Sequence, residues 1–316
     1  MTAFPAGFSV ERPSAGQSAE ILTMLHASDV ATIGFPDFEE SQVLEVFAGE
    51  AFDPGADSWL VRGPDGAVAC WGYLDGEAGD PFCEAYQDPG VTAALQGPMM
   101  SLLVERAIER ARAAGLAEVT LGAGAVIGTE DHYIAVIESH GFAFRNHSAR
   151  MTRPLTGDEK RPVPPDGVVI RQMRPEELPL HHEMIVTAFA DTSHPETQSL
   201  AALTEETVRP QPGTAWDEWL MAEVDGEIAG TLRSSNQSAD KNEGWVKRLA
   251  VRPAYRGRGV ARALLETAFA IYAEKGRVAV GLGVDTGNPT GAYRLYESVG
   301  MTPAYRCNDY ERTVTL

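Results

Sequence analysis

The residues in this chain best suited to chemistry lie between Trp245 and Arg262. A strand-like run through Leu249-Ala250-Val251 stops at Pro253, and Arg256-Gly257-Arg258-Gly259-Val260-Ala261-Arg262 comes next. A glycine turn that opens a helix leaves successive backbone N–H groups unused by the helix and aimed one way, and the helix dipole adds positive potential there. Glycine also lets a phosphate approach the backbone, because no Cβ stands in the way. Residues 247–262 hold six basic side chains (Lys247, Arg248, Arg252, Arg256, Arg258, Arg262) and no acidic one. The chemistry this suits is capture of a compact polyanion such as a phosphorylated cofactor; the alternative is a solvated basic face. The segment has no Gly-Lys-Ser/Thr ending, so it is not a Walker loop, and it lacks the third glycine of a dinucleotide fingerprint. The pairs Gly281-x-Gly283 and Gly122-x-Gly124 are too short a pattern to mark a cofactor site.

The rest of the composition sharpens this island. The chain has 316 residues and a net charge of −19, which opposes association with nucleic acid or an anionic membrane. Residues 1–100 hold two basic side chains, Arg12 and Arg62, against sixteen acidic ones, so the positive segment stands out. The N-terminal residues do not read as a signal peptide, and no apolar run approaches the roughly 20 residues a membrane span needs. The three cysteines, Cys70, Cys83 and Cys307, are odd in number and lack metal-type spacing. They read as reduced thiols in a cytoplasmic protein that needs no metal.

Elements must position the loop, and the chain presents them twice, about 160 residues apart. Trp59-Leu60 through Asp65-Gly66 to Val68-Ala69 matches Trp219-Leu220 through Asp225-Gly226 to Ile228-Ala229, each a hairpin signature. Leu102-Leu103 and Leu264-Leu265 lie in helical patterns that end near Gly115 and Gly276. Glu138-Ser139-His140-Gly141-Phe142 then matches Glu297-Ser298-Val299-Gly300-Met301. Three matches in register indicate duplication. The expected organisation is a first domain over 1–155, a Pro/Gly-rich linker over 156–167, and a second domain over 168–316. In the second copy the pattern predicts a strand at Val168–Arg174 and one or two helices to about Arg209. A hairpin over Glu218–Ser234 and a strand at Gly244–Val251 come next. A helix from Gly259 to Lys275 has Val260, Leu264, Leu265, Ala268, Phe269 and Tyr272 on one face. A strand at Val278–Val284 leads to a helix that starts at Asn288-Pro289 and ends at Gly300. The last strands fall near Ala304–Arg306 and Tyr310–Val314. Each copy is thus an α/β domain with a mixed sheet.

The segment Arg256-Gly257-Arg258-Gly259-Val260-Ala261, after Val251-Arg252-Pro253, resembles motif A of the Gcn5-related N-acetyltransferases (GNAT family). Asn288-Pro289-Thr290-Gly291-Ala292-Tyr293-Arg294-Leu295-Tyr296-Glu297-Ser298-Val299-Gly300-Met301 resembles that family's second signature, with Met301 in place of Phe. The resemblance covers about Val168 to Val314 directly and reaches the first half through the repeat. It implies two tandem GNAT-like domains, each a mixed, mostly antiparallel sheet flanked by helices. It implies acetyl-CoA as co-substrate, its pyrophosphate held by backbone N–H groups from Gly257 to Ala261 with Arg256 and Arg258 nearby. Its pantetheine arm would lie along the strand edge at Leu249, Ala250 and Val251, beside Asn288. A backbone N–H there would polarise the thioester carbonyl. Tyr296 would protonate the leaving thiolate, the alternative being core packing with Ala292 and Val299.

Several family members carry a base six residues before the Val of Val-x-Pro, and here that position is Trp245. Glu243, two residues earlier on the same strand face, is one candidate base and Glu223 a second; each is equally readable as a surface residue. In the first copy Ala94-Leu95-Gln96-Gly97 stands opposite the glycine loop and Ile137 opposite Tyr296. That half reads as a degenerate, non-catalytic copy. The expected function is N-acetyl transfer from acetyl-CoA to a primary amine of a small molecule, by direct attack in a ternary complex, by a monomer or homodimer. A duplicated chain of this kind resembles the tandem subgroup that includes mycothiol synthases, so acetylation of a cysteinyl amine is one alternative. A non-catalytic CoA sensor and a nucleic-acid-binding protein are two others. His181-His182 sit side by side on a helix and cannot share a metal. Asp191, Ser193 and His194 read as a polar loop that could also meet the acceptor.

Overall fold

The structure, a computed structural model, describes residues 3–48, 52–92, 94–190, 198–208, 214–236, 238–287 and 291–316. The chain divides into two compact units, Met1–His147 with Tyr305–Leu316, and Ser148–Ala304.

In the first unit β1 (Ser9–Glu11), β2 (Ser58–Arg62), β3 (Val68–Asp75), β4 (Phe82–Gln87) and β5 (Glu118–Val126) lie side by side in chain order. Neighbours are antiparallel except for the parallel contact of β4 with β5 at Phe82 and Gly122. Both sheet faces are covered: every residue of β3 but the last is buried. Trp71 and Tyr73 pack with Ile21 and Leu25 of α1 (Ser18–Thr32) and Val43 of α2 (Glu40–Ala48). Cys70 and Leu74 pack on the opposite core with Met99, Met100 and Leu103 of a long helix and Ile137 of a shorter one. A one-turn helix, α3 (Pro54–Asp57), precedes β2; the long helix is α4 (Gln96–Ala113) and the shorter α5 (Asp131–Ser139).

The second unit repeats the plan. It contains β7 (Val168–Gln172), β8 (Leu220–Val224), β9 (Glu227–Ser235), β10 (Glu243–Val251) and β11 (Ala279–Asp285), again mixed with one parallel pair, β10 with β11. Trp219 and Met221 pack with Leu178 of α6 (Leu178–Phe189) and Leu203 of α7 (Leu200–Val208). Leu220 and Ala222 pack with α8 (Val260–Glu274). All six apolar positions expected on the face of α8, Val260 to Tyr272, are buried. The tight turn between β8 and β9 falls at Asp225-Gly226, both at positive φ.

Several expectations change. The division falls at His147/Ser148, not in the proline-rich stretch, and Tyr305–Leu316 belongs to the first unit although it ends the second copy. Strand ladders decide this. The Ser148–Pro154 part of β6 (Ala143–Pro154) pairs antiparallel with β11, whereas Cys307–Thr315 of β12 (Thr302–Thr315) pairs antiparallel with β5. The strand closing each unit's sheet therefore comes from the other copy. Punctuation by proline marks where a chain turns and says nothing of which sheet a strand joins. The proline-rich stretch packs on the second unit: the Leu155 N–H donates to the Val278 carbonyl at 2.8 Å, and the Val168 N–H to that of Pro165 at 2.9 Å. The last two predicted strands are one continuous strand, β12. The final helix, α9, runs Ala292–Ser298 behind Gly291 at φ +75°; its expected start, Asn288-Pro289, lies outside the described residues.

Candidate active site

The site grows out of one irregularity in the second unit. β10 and β11 are in parallel register only at Glu243↔Ala279, Gly244↔Val280 and Trp245↔Gly281. Beyond that point β10 keeps its outer partner, β9, as far as Val251↔Gly230, and β11 keeps β6 as far as Asp285↔Ser148. The two strands thus part, each still held on its far side. Lys247 is an extra residue in the β10 ladder, a bulge between Val246 and Arg248, and bulges bend a strand and re-aim the residues beyond them. After the bulge Leu249 and Val251 pack toward the α8 core, while the Arg248 guanidinium lies 5.6 Å from the Phe189 ring of α6.

The parting opens a slot of about 470 Å³. Val246 to Val251 line one side, Leu282 to Asp285 the other, and Gly291, Ala292, Leu295 and Tyr296 come from the start of α9. Arg256 and Ala261 lie in the wall, with Ala188, Phe189 and Ser148. The inner edges of β10 and β11 there are outside any strand-to-strand register. Backbone donors and acceptors left so call for an extended partner, which is how peptide-like ligands add to a sheet.

At the slot's edge the chain makes the turn the sequence predicted. Gly257 and Gly259 have φ of +73° and +79°, which L side chains rarely adopt, and Gly259 directly precedes the first residue of α8. The Gly259 carbonyl accepts from the Ala263 N–H at 3.0 Å, so the N–H groups of the first turn before it are left for another partner. The Arg256 Nε donates to the Val251 carbonyl at 3.2 Å, fixing that guanidinium beside the end of β10.

The predicted residues therefore sort clearly. Leu249, Ala250, Val251, Arg256, Ala261 and Tyr296 all line the slot. Gly257, Gly259 and Val260 build the turn and the helix start next to it. Arg258 leans away: its guanidinium donates to Asp225 at 3.3 Å. Asn288 and the loop residues Asp191, Ser193 and His194 lie outside the described residues. Tyr296 is 9% exposed, and burial pushes its phenol up to about 12, so it keeps its proton at neutral pH and can donate it.

Neither predicted base reaches the slot. Glu243 does share a face with Trp245, since both side chains lie over Gly281, where an added Cβ would meet them at 2.7 and 2.8 Å. It sits, however, where β10 and β11 are still paired, and it is 6% exposed. Its carboxylate accepts from Arg150 at 2.5 Å and from the Thr152 hydroxyl at 3.3 Å. It is a buried ion pair beneath Trp245, whose ring lies 5.3 Å from the same guanidinium. Glu223 pairs with Arg171 at 2.7 Å, in a network that also holds Glu177. Sequence reasoning set Gly283 aside as part of a weak glycine pair and passed over Asp285; both are in the slot wall. The alternation that put Trp245 and Glu243 on one face extends, on β11, from Gly281 to Gly283 and Asp285, and that was the available signal.

Comparisons with known proteins bear on the family and the fold. Residues 182–301 match the acetyltransferase (GNAT) family. A mycothiol acetyltransferase of Thermobispora bispora is 36% identical over 162 residues, 48% of this chain and about half, 52%, of the relative. Another, from Streptomyces avermitilis, is 28% identical over 312 residues, 94% of this chain and 92% of the relative. Among solved structures, a GCN5-related N-acetyltransferase from Sphaerobacter thermophilus superposes with a TM-score of 0.86 at 24% identity, covering 99% of this chain and 98% of that one. A tandem GNAT protein from the clavulanic acid biosynthesis pathway gives 0.67 at 16% identity, over 97% and 98%. Those full-length superpositions match the fold of two GNAT-like units.

Proposed function

Because residues 182–301 match the acetyltransferase (GNAT) family, we propose that the second unit moves an acetyl group from acetyl-CoA to a primary amine of a small molecule. The observation that carries this reading is the slot itself: a positively charged glycine turn at its edge and a buried, protonated Tyr296 in its wall, joined by a strand edge that has left its neighbour's register. The backbone N–H groups from Gly257 to Ala261, with Arg256, suit a pyrophosphate. The edge of Leu249 to Val251 suits the amides of a pantetheine arm, and a backbone N–H there suits the oxyanion that develops when the thioester is attacked. Tyr296 supplies the proton that makes the sulfur a good leaving group. Attack is direct. The buried thiols of Cys70 and Cys83 are pushed upward by burial, away from the thiolate a covalent route needs.

The resemblance to the mycothiol synthase subgroup points to one acceptor to try first, a cysteinyl amine on a sugar–inositol conjugate, and the relatives are named mycothiol acetyltransferases. The test is a rate measurement with acetyl-CoA, that conjugate and a panel of simple primary amines. Acetyl transfer to any amine, slowed by Tyr296→Phe with CoA affinity preserved, supports the reading. CoA binding without transfer to any amine, and indifference to Tyr296→Phe, would make the chain a sensor instead.

A further inference from the structure

The slot needs a group that accepts a proton from the acceptor, because an ammonium has no lone pair with which to attack a thioester. Both glutamates expected to do this lie outside the slot, Glu243 beside Arg150 and Glu223 beside Arg171. Among the described residues that line the slot there is one carboxylate, Asp285. It is the last residue of β11, opposite Ser148 in register, where the strands have parted. The Gly287 N–H donates to its Oδ1 at 2.8 Å, which fixes the carboxylate at the strand's end.

Its placement relative to Tyr296 matters most. Val280, Leu282 and Val284 of β11 pack in the same core as α8 and Tyr296. Gly281, Gly283 and Asp285 alternate with them and so belong to the other sheet face, the one carrying Trp245. Asp285 and Tyr296 therefore flank the parted strands from opposite faces. Acyl transfer by addition and elimination needs the two groups apart: the base beside the nitrogen that adds to the carbonyl, the acid beside the sulfur that leaves.

We propose that Asp285 is the residue that holds the acceptor ammonium and takes its proton, in place of the strand-borne glutamate that Trp245 displaces. This rests on the acyltransferase reading above. One proton passes from the ammonium to Asp285. The freed nitrogen lone pair forms the C–N bond and the carbonyl electrons move to oxygen. On collapse the C–S bond breaks, its electron pair stays on sulfur, and Tyr296 protonates that sulfur. The second proton lost by nitrogen restores Tyr296 through solvent, and the proton on Asp285 is the one released, so amide, thiol and one proton are the products.

The test needs no knowledge of the natural acceptor. S-(2-aminoethyl)-CoA places an ammonium where the attacking amine arrives, and S-propyl-CoA is its uncharged isostere. Calorimetry on the full chain is expected to show the ammonium analogue binding about tenfold more tightly, the scale of one charged hydrogen bond. Asp285→Asn should abolish that preference while leaving S-propyl-CoA affinity unchanged, and Asp285→Glu should keep part of it. A wild type with no preference, or a preference that survives Asp285→Asn, overturns the proposal alone. If Asp285→Asn loses both analogues, the Asp285→Glu and wild-type titrations decide, and a preference absent from Asp285→Glu counts against it. Failure of either analogue to bind the wild type removes the acyl-CoA reading and this inference with it.

Discussion

The two units part their strands at the same place and do opposite things with the space. In the first, β4 and β5 meet only at Phe82↔Gly122; in the second, β10 and β11 last meet at Trp245↔Gly281. An aromatic ring covers the glycine at both points, Phe82 over Gly122 and Trp245 over Gly281. Beyond them the second unit has a bulge, two glycines at positive φ and a slot lined by Tyr296. The first has an unbroken register from Phe82 to Gln87. Its helix α4 begins after Leu95 in an ordinary right-handed conformation, and Ile137, in Tyr296's place, is fully buried. Tyr133 stands where the repeat puts Ala292, buried near Glu84 in the same core as Ile137. The comparison teaches that the parting of strands belongs to the fold, while the site depends on a few residues that keep the gap empty.

The largest effect expected concerns which copy owns the last strand. Truncation after Ala304 removes the partner of β5 along Cys307–Thr315, together with Tyr310 from the first unit's core. Hydrogen exchange should then show Glu118–Val126 unprotected and α8 still protected; the reverse pattern would contradict the strand exchange. Next, Tyr296→Phe should lower kcat by about 10²–10⁴-fold, the range for losing a general acid, with CoA affinity kept. An equivalent change at Ile137 in the first unit, Ile137→Val, should leave kcat alone.

Glu243→Gln sharpens the distinction between structure and chemistry. It removes the charge that faces Arg150 in a buried site, and breaking such a pair costs about 3–5 kcal/mol. Chemical unfolding should register that loss in the second unit. An unchanged midpoint, coupled with a collapse of kcat, would return Glu243 to the role of base.

The smallest effect is a difference in sign between the units. Burial, with Asp75 and Glu130 nearby, pushes Glu84 up to about 7 despite the Tyr86 hydroxyl donating to it at 2.8 Å. A carboxyl raised above its unfolded value of 4.5 contributes fully below that pH and loses its contribution as pH rises through 7. Burial, with Arg233, His182 and Arg248 nearby, pushes His181 down to about 3, and its ring bonds the Thr231 hydroxyl at 2.8 Å. Its contribution is complete above the unfolded value of 6.5 and is lost as pH falls through 3. Exchange protection should weaken in the first unit from pH 4.5 to 7 and in the second from pH 6.5 to 3. Glu84→Gln and His181→Asn should each flatten only their own unit's slope.

Much of this was readable from residues alone. The glycine turn at Arg256–Ala261, the hairpin at Asp225-Gly226 and the apolar face of α8 come from local rules, and they stand where those rules put them. The unreadable part is non-local. No property of Cys307–Thr315 says that it pairs with β5 rather than β11. The bulge at Lys247 carries no glycine to announce it. Glu243 looks like a surface residue until Arg150, 93 positions away, is found beside it. Alternation along β11 groups Asp285 with Gly281, but that it lines a slot shows only when the strands are seen to part.

The central claim is that one slot per chain works, and calorimetric titration with acetyl-CoA of wild type and Gly259→Trp tests it directly. Gly259 needs positive φ, and an added Cβ there would lie 3.0 Å from Pro165, so the variant should lose the turn. The account predicts one site per chain, absent in the variant. Two sites, a site that survives Gly259→Trp, or no binding at all would contradict it.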